Sequence, residues 1–379
     1  LLIMILNNVQ STRSTQDIYS SLLVNRFWCK VTIPILWKLP LGQDYILKKE
    51  LCIRTYISCM NTQARTLLIQ NGFDLSSSPP QATFNYPSFT HKFIVNNLDY
   101  FIFKYSQQII GVPKVFKKLE TFVSAISDEL LRPLYESLAL ICDNILNMEL
   151  NFNSNSYYQL QYLARFIGDQ KRLENLSIVS NFHLDCNSLL WVIGQKETLK
   201  SLRLNSVNFS HFKGRSSPIG QFISLQELYI NNCYGLHKPN SFFFASSFTQ
   251  LSNFHFHTHN EYEWPQKFII KILETANTSL RNICLDLYPQ IGFNTFSAIL
   301  NYCTNITELT LKNLSPDQVI EIFINFGELR RFSFCCEKGL DANKLLCLMV
   351  SNVPKSLETI EIRIGIFSAD SLRKFFQGW

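Results

Sequence analysis

The sequence predicts an α/β solenoid, with parallel strands on the concave side, helices on the convex side and a small helical domain in front. Two observations carry this. Nine units repeat the pattern L-x-x-L-x-L, with apolar substitutes, at intervals of 23–29 residues. Between them lie segments whose apolar residues follow helical spacing. Composition agrees: of 379 residues 46% are hydrophobic and 17% charged, which excludes a largely disordered chain.

The repeat runs as Ile145/Met148/Leu150, Leu173/Leu176/Ile178, Leu199/Leu202/Leu204, Leu225/Leu228/Ile230 and Leu251/Phe254/Phe256. It continues as Leu280/Ile283/Leu285, Ile306/Leu309/Leu311, Leu329/Phe332/Phe334 and Leu357/Ile360/Ile362. Leu119/Phe122 is a weaker tenth unit. The last two apolar positions of each unit are one residue apart, as on a short strand with one face buried. Phe268, Ile269, Ile272, Leu273 and Ala276, then Phe296, Ile299, Leu300 and Cys303, mark helices between strands. Strand plus helix at this period resembles the leucine-rich-repeat superfamily, over residues 112–379 in about nine to ten repeats. The unit Leu225–Leu236 matches the longer form of that repeat, with Cys233 at its polar corner. Asn153, Asn181 and His259 stand at the equivalent position, whereas Val207, Tyr288, Leu314, Glu337 and Gly365 depart from it.

In front, residues 1–40 read as two helices around a Ser/Thr turn. Asp17 is a candidate N-cap, and Ile18, Leu22 and Leu23 share a helical face. Asp17, Val24, Arg26 and Trp28, with Leu36-Trp37 closing the segment, resemble the second half of an F-box. The Leu-Pro that opens an F-box is absent, as expected if the first helix is incomplete. Leucine-rich repeats after an F-box form a known adaptor architecture, large among fungi. The resemblance implies docking on the Skp-type adaptor of an SCF cullin ubiquitin ligase, with Ile5, Leu6, Ile18, Leu22, Val24 and Trp28 as contacts. The bland alternative makes Val24 and Trp28 the core of a helical cap, in a repeat scaffold with no ligase link. Residues 41–111 read as a helical or irregular connector.

Residues flanking the apolar pair of each strand point to the concave face, where a broad surface suits an unknown substrate protein better than a small molecule. Arg203, Asn205, Tyr229, Asn231, His255, His257, Asp286 and Lys312 are the candidates there, with Tyr229 and Arg203 as anchors. His255-x-His257-x-His259 with Asp286 invites a metal reading, but soft ligands at closed-site spacing are missing, and the expectation is no metal. No catalytic motif or phosphate loop occurs, so neither catalysis nor a cofactor is expected. Residues 1–110 hold 10 basic and 5 acidic residues and 111–379 hold 25 and 24, which leaves the repeats without a clustered basic stripe for nucleic acid. No apolar run spans a bilayer, so no membrane partner is expected. The eleven unpaired-looking cysteines suggest a reducing compartment, cytoplasmic or nuclear.

Overall fold

The computed structural model describes residues 20–38, 119–126, 142–152, 160–185, 197–210, 223–236, 248–258, 265–287, 291–336, 342–363 and 367–378. It also describes scattered positions within 55–95, 135–139 and 189–193. The chain forms two compact units, Leu1–Glu174 and Asn175–Trp379, a division that falls inside the stretch read from sequence as one repeat domain.

In the first unit, helix α1 spans Arg26–Leu36 and is capped by Asn25, whose side chain accepts from the Trp28 amide at 3.0 Å. It buries Thr32, Ile33 and Ile35, and the Thr32 hydroxyl lies 2.9 Å from that of Ser21, tying the preceding turn to the helix. That turn corrects one expectation. Leu22, Leu23 and Val24 do not continue a helix; the chain reverses there, with the amides of Leu23 and Val24 donating to the carbonyls of Ser20 and Ser21. The physical reason is Asn25, whose extended backbone and capping carboxamide start a new helix one residue on. Leu22 and Leu23 therefore share no buried face: Leu22 is half-buried and Leu23 exposed. Asp17, Ile18, Ile5 and Leu6 lie outside the described residues. Beyond α1, Trp37 packs on Tyr86 and Tyr56, at ring centroids 4.6 and 5.5 Å apart.

Strands β1 (Lys92–Val95), β2 (Thr121–Ile126) and β3 (Asn147–Phe152) pair in parallel. The connector read over residues 41–111 thus contributes a strand, and parallel pairing begins before residue 112. Helix α2 (Leu160–Asp169) buries Leu160, Leu163, Ala164, Phe166 and Ile167, with Phe166 edge-on to Phe122 of β2 at 5.3 Å. After α2 the buried Gln170 occupies a corner. Its carboxamide accepts from the Ile145 amide at 3.1 Å and donates to the carbonyls of Cys142 and Phe166 at 2.7 and 2.9 Å.

The second unit runs through strands β4 (Asn175–Asp185), β5 (Ser201–Asn208), β6 (Glu227–Asn231) and β7 (Asn253–Thr258). These are followed by helix α3 (Gln266–Ala276), β8 (Asn282–Leu287), α4 (Phe293–Tyr302), β9 (Glu308–Leu314) and α5 (Pro316–Asn325). Strand β10 (Arg331–Cys336), α6 (Ala342–Val350), β11 (Thr359–Ile362) and α7 (Ala369–Gly378) complete it. All eight strands pair in sequence order and in parallel, as expected when each is joined to the next by a crossover. The paired apolar positions stack in register as two buried rows, Leu202, Leu228, Phe254, Ile283, Leu309 and Phe332 in one, Leu204, Ile230, Phe256, Leu285, Leu311 and Phe334 in the other. The helices cover that face: Phe268 of α3 lies 6.0 Å from Phe256, and Phe323 of α5 5.6 Å from Phe332. Helix α3 buries the five residues its spacing marks, and α5 begins with a reciprocal Ser315/Gln318 capping box.

Strand exits are irregular in a repeated way. Ser206, Asn232 and Asn313, two residues after the second apolar position of their units, have φ of 57°, 49° and 57°, a left-handed turn that Asn tolerates well. Gly235 has φ +73°, and a Cβ there would come within 2.4 Å of the Ser210 amide, so only glycine fits. At the corner itself the Cys233 thiol points to the Leu204 and Asn231 carbonyls, at 3.6 and 3.4 Å, and burial pushes its pKa up to about 12. Val207 and Leu314 fill the same corner with buried aliphatic groups. Asn181 is exposed within β4 rather than turned inward, a correction to its reading as a corner residue. Asn153 and His259 lie outside the described residues.

Candidate functional site

Because the apolar rows of the second unit face the helices, the alternate positions of the same strands form an open face. Register places them in three rows. One carries Arg203, Tyr229, His255, Cys284, Thr310, Ser333 and Glu361; the next carries Asn205, Asn231, His257 and Asp286. Lys312 joins the second through a 2.5 Å contact with Asp286. The third, one position before the first apolar residue, carries Ser201, Glu227, Asn253, Asn282, Glu308 and Arg331. All eight residues chosen from sequence for this face therefore lie on it, in adjacent rows.

The first row holds a stack. The Arg203 guanidinium carbon sits 4.3 Å from the Tyr229 ring centroid, and Tyr229 and His255 stack at 4.2 Å with an 11° angle between planes. The group thus brings a guanidinium, a phenol and an imidazole side by side on the open face. Burial raises the Tyr229 pKa, with Glu227 adding to the rise and Arg203 opposing it. Glu227 was not singled out from sequence. It accepts from the Ser201 hydroxyl at 3.0 Å and lies 3.9 Å from Arg203, fixing the end of the stack. The signal was available, since Glu227 has the same strand parity as Tyr229.

In the second row His257 Nδ1 is 2.7 Å from Asp286 Oδ2, which also takes the Lys312 ammonium. Burial draws the Asp286 carboxyl upward, but the Lys312 hydrogen bond and the neighbouring His257 outweigh it and hold its pKa below the usual value. The carboxylate is thus already engaged by both the His257 ring nitrogen and the Lys312 ammonium. Among the described residues no three His, Cys, Asp or Glu side chains converge as a metal site would require. Next to this pair Asn231 Oδ1 is buried without a hydrogen-bond partner among the described residues, an acceptor that a bound donor would satisfy.

Burial lowers the His255 pKa, Arg203 lowers it further, and Glu227 and Glu308 oppose them. A base whose folded pKa is depressed stabilises the fold above its unfolded value near 6.5, and that contribution is lost as pH falls toward the folded value. We expect the melting temperature to drop between about pH 7.5 and 5, and His255→Phe, which keeps a ring on Tyr229, to flatten that dependence. Melts recorded across this range check it; an unchanged slope in the variant would refute the assignment.

A second candidate surface lies around the turn before α1. Leu23, Val24 and Phe27 are 88%, 58% and 65% exposed, and Trp28 is half-buried. Val24 is therefore available for docking and is no part of a buried core, whereas Leu22 and Trp28 are only partly so. Leu23 and Phe27 were not among the contacts chosen from sequence; apolar character alone does not distinguish an outward residue at a turn from an inward one. Among the described residues no helix is long and apolar enough to cross a membrane.

No protein-family model matches the chain, and no curated protein is similar to it in sequence. Among solved structures it is similar to a chain of the Rad7 and Elc1 complex in yeast, with 14% identity, a TM-score of 0.31, and coverage of 89% of this chain and 96% of that one. A superposition that loose does not establish a common fold.

Proposed function

We propose that the protein is a non-enzymatic substrate-recognition adaptor of an SCF-type cullin ubiquitin ligase. Its N-terminal segment acts as an F-box that docks the Skp-type adaptor, and its leucine-rich repeats hold a target protein on their open face. The observation that carries the reading is the exposed apolar cluster of Leu23, Val24 and Phe27 within the Asp17-to-Trp28 motif. Large apolar side chains left in water at the start of a chain rich in repeats suit docking, because such anchors dominate interface energy. On the other unit, the Arg203–Tyr229–His255 stack and the unpartnered Asn231 acceptor suit an extended polypeptide, which brings amide donors and side chains together. Ubiquitin transfer would then gain from proximity, with the chemistry performed elsewhere in the assembly.

The test is a pull-down of the purified 379-residue chain against the Skp-type adaptor. Stoichiometric capture is expected, and Val24→Asp, which would bury an unpaired carboxylate in the interface, should abolish it while leaving the circular dichroism spectrum unchanged. Failure of the folded wild-type chain to bind would leave a repeat scaffold without ligase association.

A further inference from the structure

The stack on the open face stops in the middle of the sheet, where it could continue. Arg203, Tyr229 and His255 stand on β5, β6 and β7, at 4.3 and 4.2 Å from one group to the next. Neighbouring strands are about 4.8 Å apart, so each strand adds one planar group to the row. Two rings stacked at an 11° angle cover one face of each other, and Tyr229 lies on the β6 side of His255. The second imidazole face therefore looks towards β8. In register there stands Cys284, followed by Thr310 on β9 and Ser333 on β10. None of these three side chains is planar or large enough to cover a ring, and among the described residues no second ring or guanidinium stacks on His255. The row thus continues from His255 as a slot floored by the Cys284 thiol and the Thr310 hydroxyl beside it.

The groups around the slot say what fits it. Three carboxylates stand on the open face of β8, β9 and β11, and each is matched by a cation: Asp286 by Lys312 at 2.5 Å, Glu308 by Arg331 at 3.1 Å and Glu361 by Arg363 at 2.9 Å. A charged group entering there would have to compete with these pairs. Burial holds the His255 pKa below its ordinary value, so the imidazole is neutral at pH 7. An uncharged ring finds a flat face to stack on and polar atoms beneath its far edge. We propose that the slot takes a tyrosine side chain of the target protein, its ring stacked on His255 as the fourth member of the row and its hydroxyl donating to the Thr310 hydroxyl. The proposal rests on the reading that the open face holds a target, and adds the side chain by which that target is recognised. Phenylalanine would stack but leave the Thr310 hydroxyl without the new partner, and leucine would do neither.

Selection of random twelve-residue peptides on the immobilised full chain, followed by titration of the winners, tests the proposal. Tyrosine at one fixed position is expected, with leucine there weakening binding about tenfold or more and phenylalanine less. Phosphorylating that tyrosine should weaken binding as well. On the protein, Cys284→Tyr puts a ring of its own into the slot and should cost about tenfold in affinity without lowering the melting temperature. His255→Ala should cost as much, His255→Phe should restore capture, and Thr310→Val should erase the preference for tyrosine over phenylalanine while leaving phenylalanine peptides bound. Selected peptides that lack an aromatic residue, or that bind Cys284→Tyr as well as wild type, would overturn the tyrosine slot and leave target binding by the open face standing. A single-stranded oligonucleotide that binds more tightly than any peptide and is lost in Cys284→Tyr would overturn it in favour of a nucleobase. A folded chain that selects no peptide at all would overturn the target-binding reading itself, and the slot with it.

Discussion

Phe256→Ala is expected to destabilise the Asn175–Trp379 unit by about 3–5 kcal/mol. Phe256 is 1% exposed and sits where the buried rows meet the helical layer, against Phe254 in its own strand and Phe268 of α3. Truncation removes the ring's transfer free energy and leaves a cavity that stacked parallel strands cannot close, since their spacing is fixed by backbone hydrogen bonds. In a repeat array the loss acts first on the nearest neighbours, so β7 and its partners β6 and β8 should lose protection first. Hydrogen exchange of those amides, with a urea unfolding curve, checks both extent and location. Phe256→Leu should recover most of the loss; a cost below about 1 kcal/mol for the alanine variant would show that the site collapses.

Gln170→Ala should cost the other unit about 3 kcal/mol or more, a large effect for a polar side chain. Its carboxamide satisfies the Ile145 amide and the Cys142 and Phe166 carbonyls, and the residue is fully buried. Removing it orphans several buried backbone groups at once, each costing on the order of 1–3 kcal/mol unless water enters. Gln170→Met separates the causes. It keeps the volume and cannot replace the bonds, so it should be nearly as damaging as alanine in thermal unfolding. If methionine restored wild-type stability, the corner would be held by packing.

Most of the strand framework was legible because each strand of the repeat has one buried face and one open face, which writes period two directly into the sequence. The burial of Met148, Leu150 and Phe152 in β3, or of Phe254, Phe256 and Thr258 in β7, follows that alternation. Strand β1 was not legible: Lys92–Val95 is four residues long and lacks the leading leucine three positions earlier, and its pairing with β2 is a long-range event. The Leu22–Val24 turn was hidden because two leucines and a valine read equally well as a helix face. Gln170 hid for a subtler reason. It stands three residues before the leading Leu173, a position held elsewhere by Cys142, Phe248, Cys303 and Phe326, all buried. Lys196 and Asn277 hold the same position before Leu199 and Leu280, so aligning the repeats does not by itself mark Gln170 as a buried polar residue. On the open face, sequence parity gave the rows, while the stacking of Arg203, Tyr229 and His255 needed the strand register that only folding supplies.

The strictly sequential strand order also governs how the second unit responds to force. Tension applied between its ends acts along the hydrogen bonds that join neighbouring strands and loads one ladder at a time, so the unit should unzip from an end instead of shearing as a block. Leu199, Leu225 and Leu251 stand 26 residues apart, and each repeat peeled away would lengthen the tether by about 90 Å at about 3.5 Å per residue. Such a chain behaves as a stepped mechanical fuse, able to yield a repeat at a time to an unfolding machine while the strands behind it remain paired.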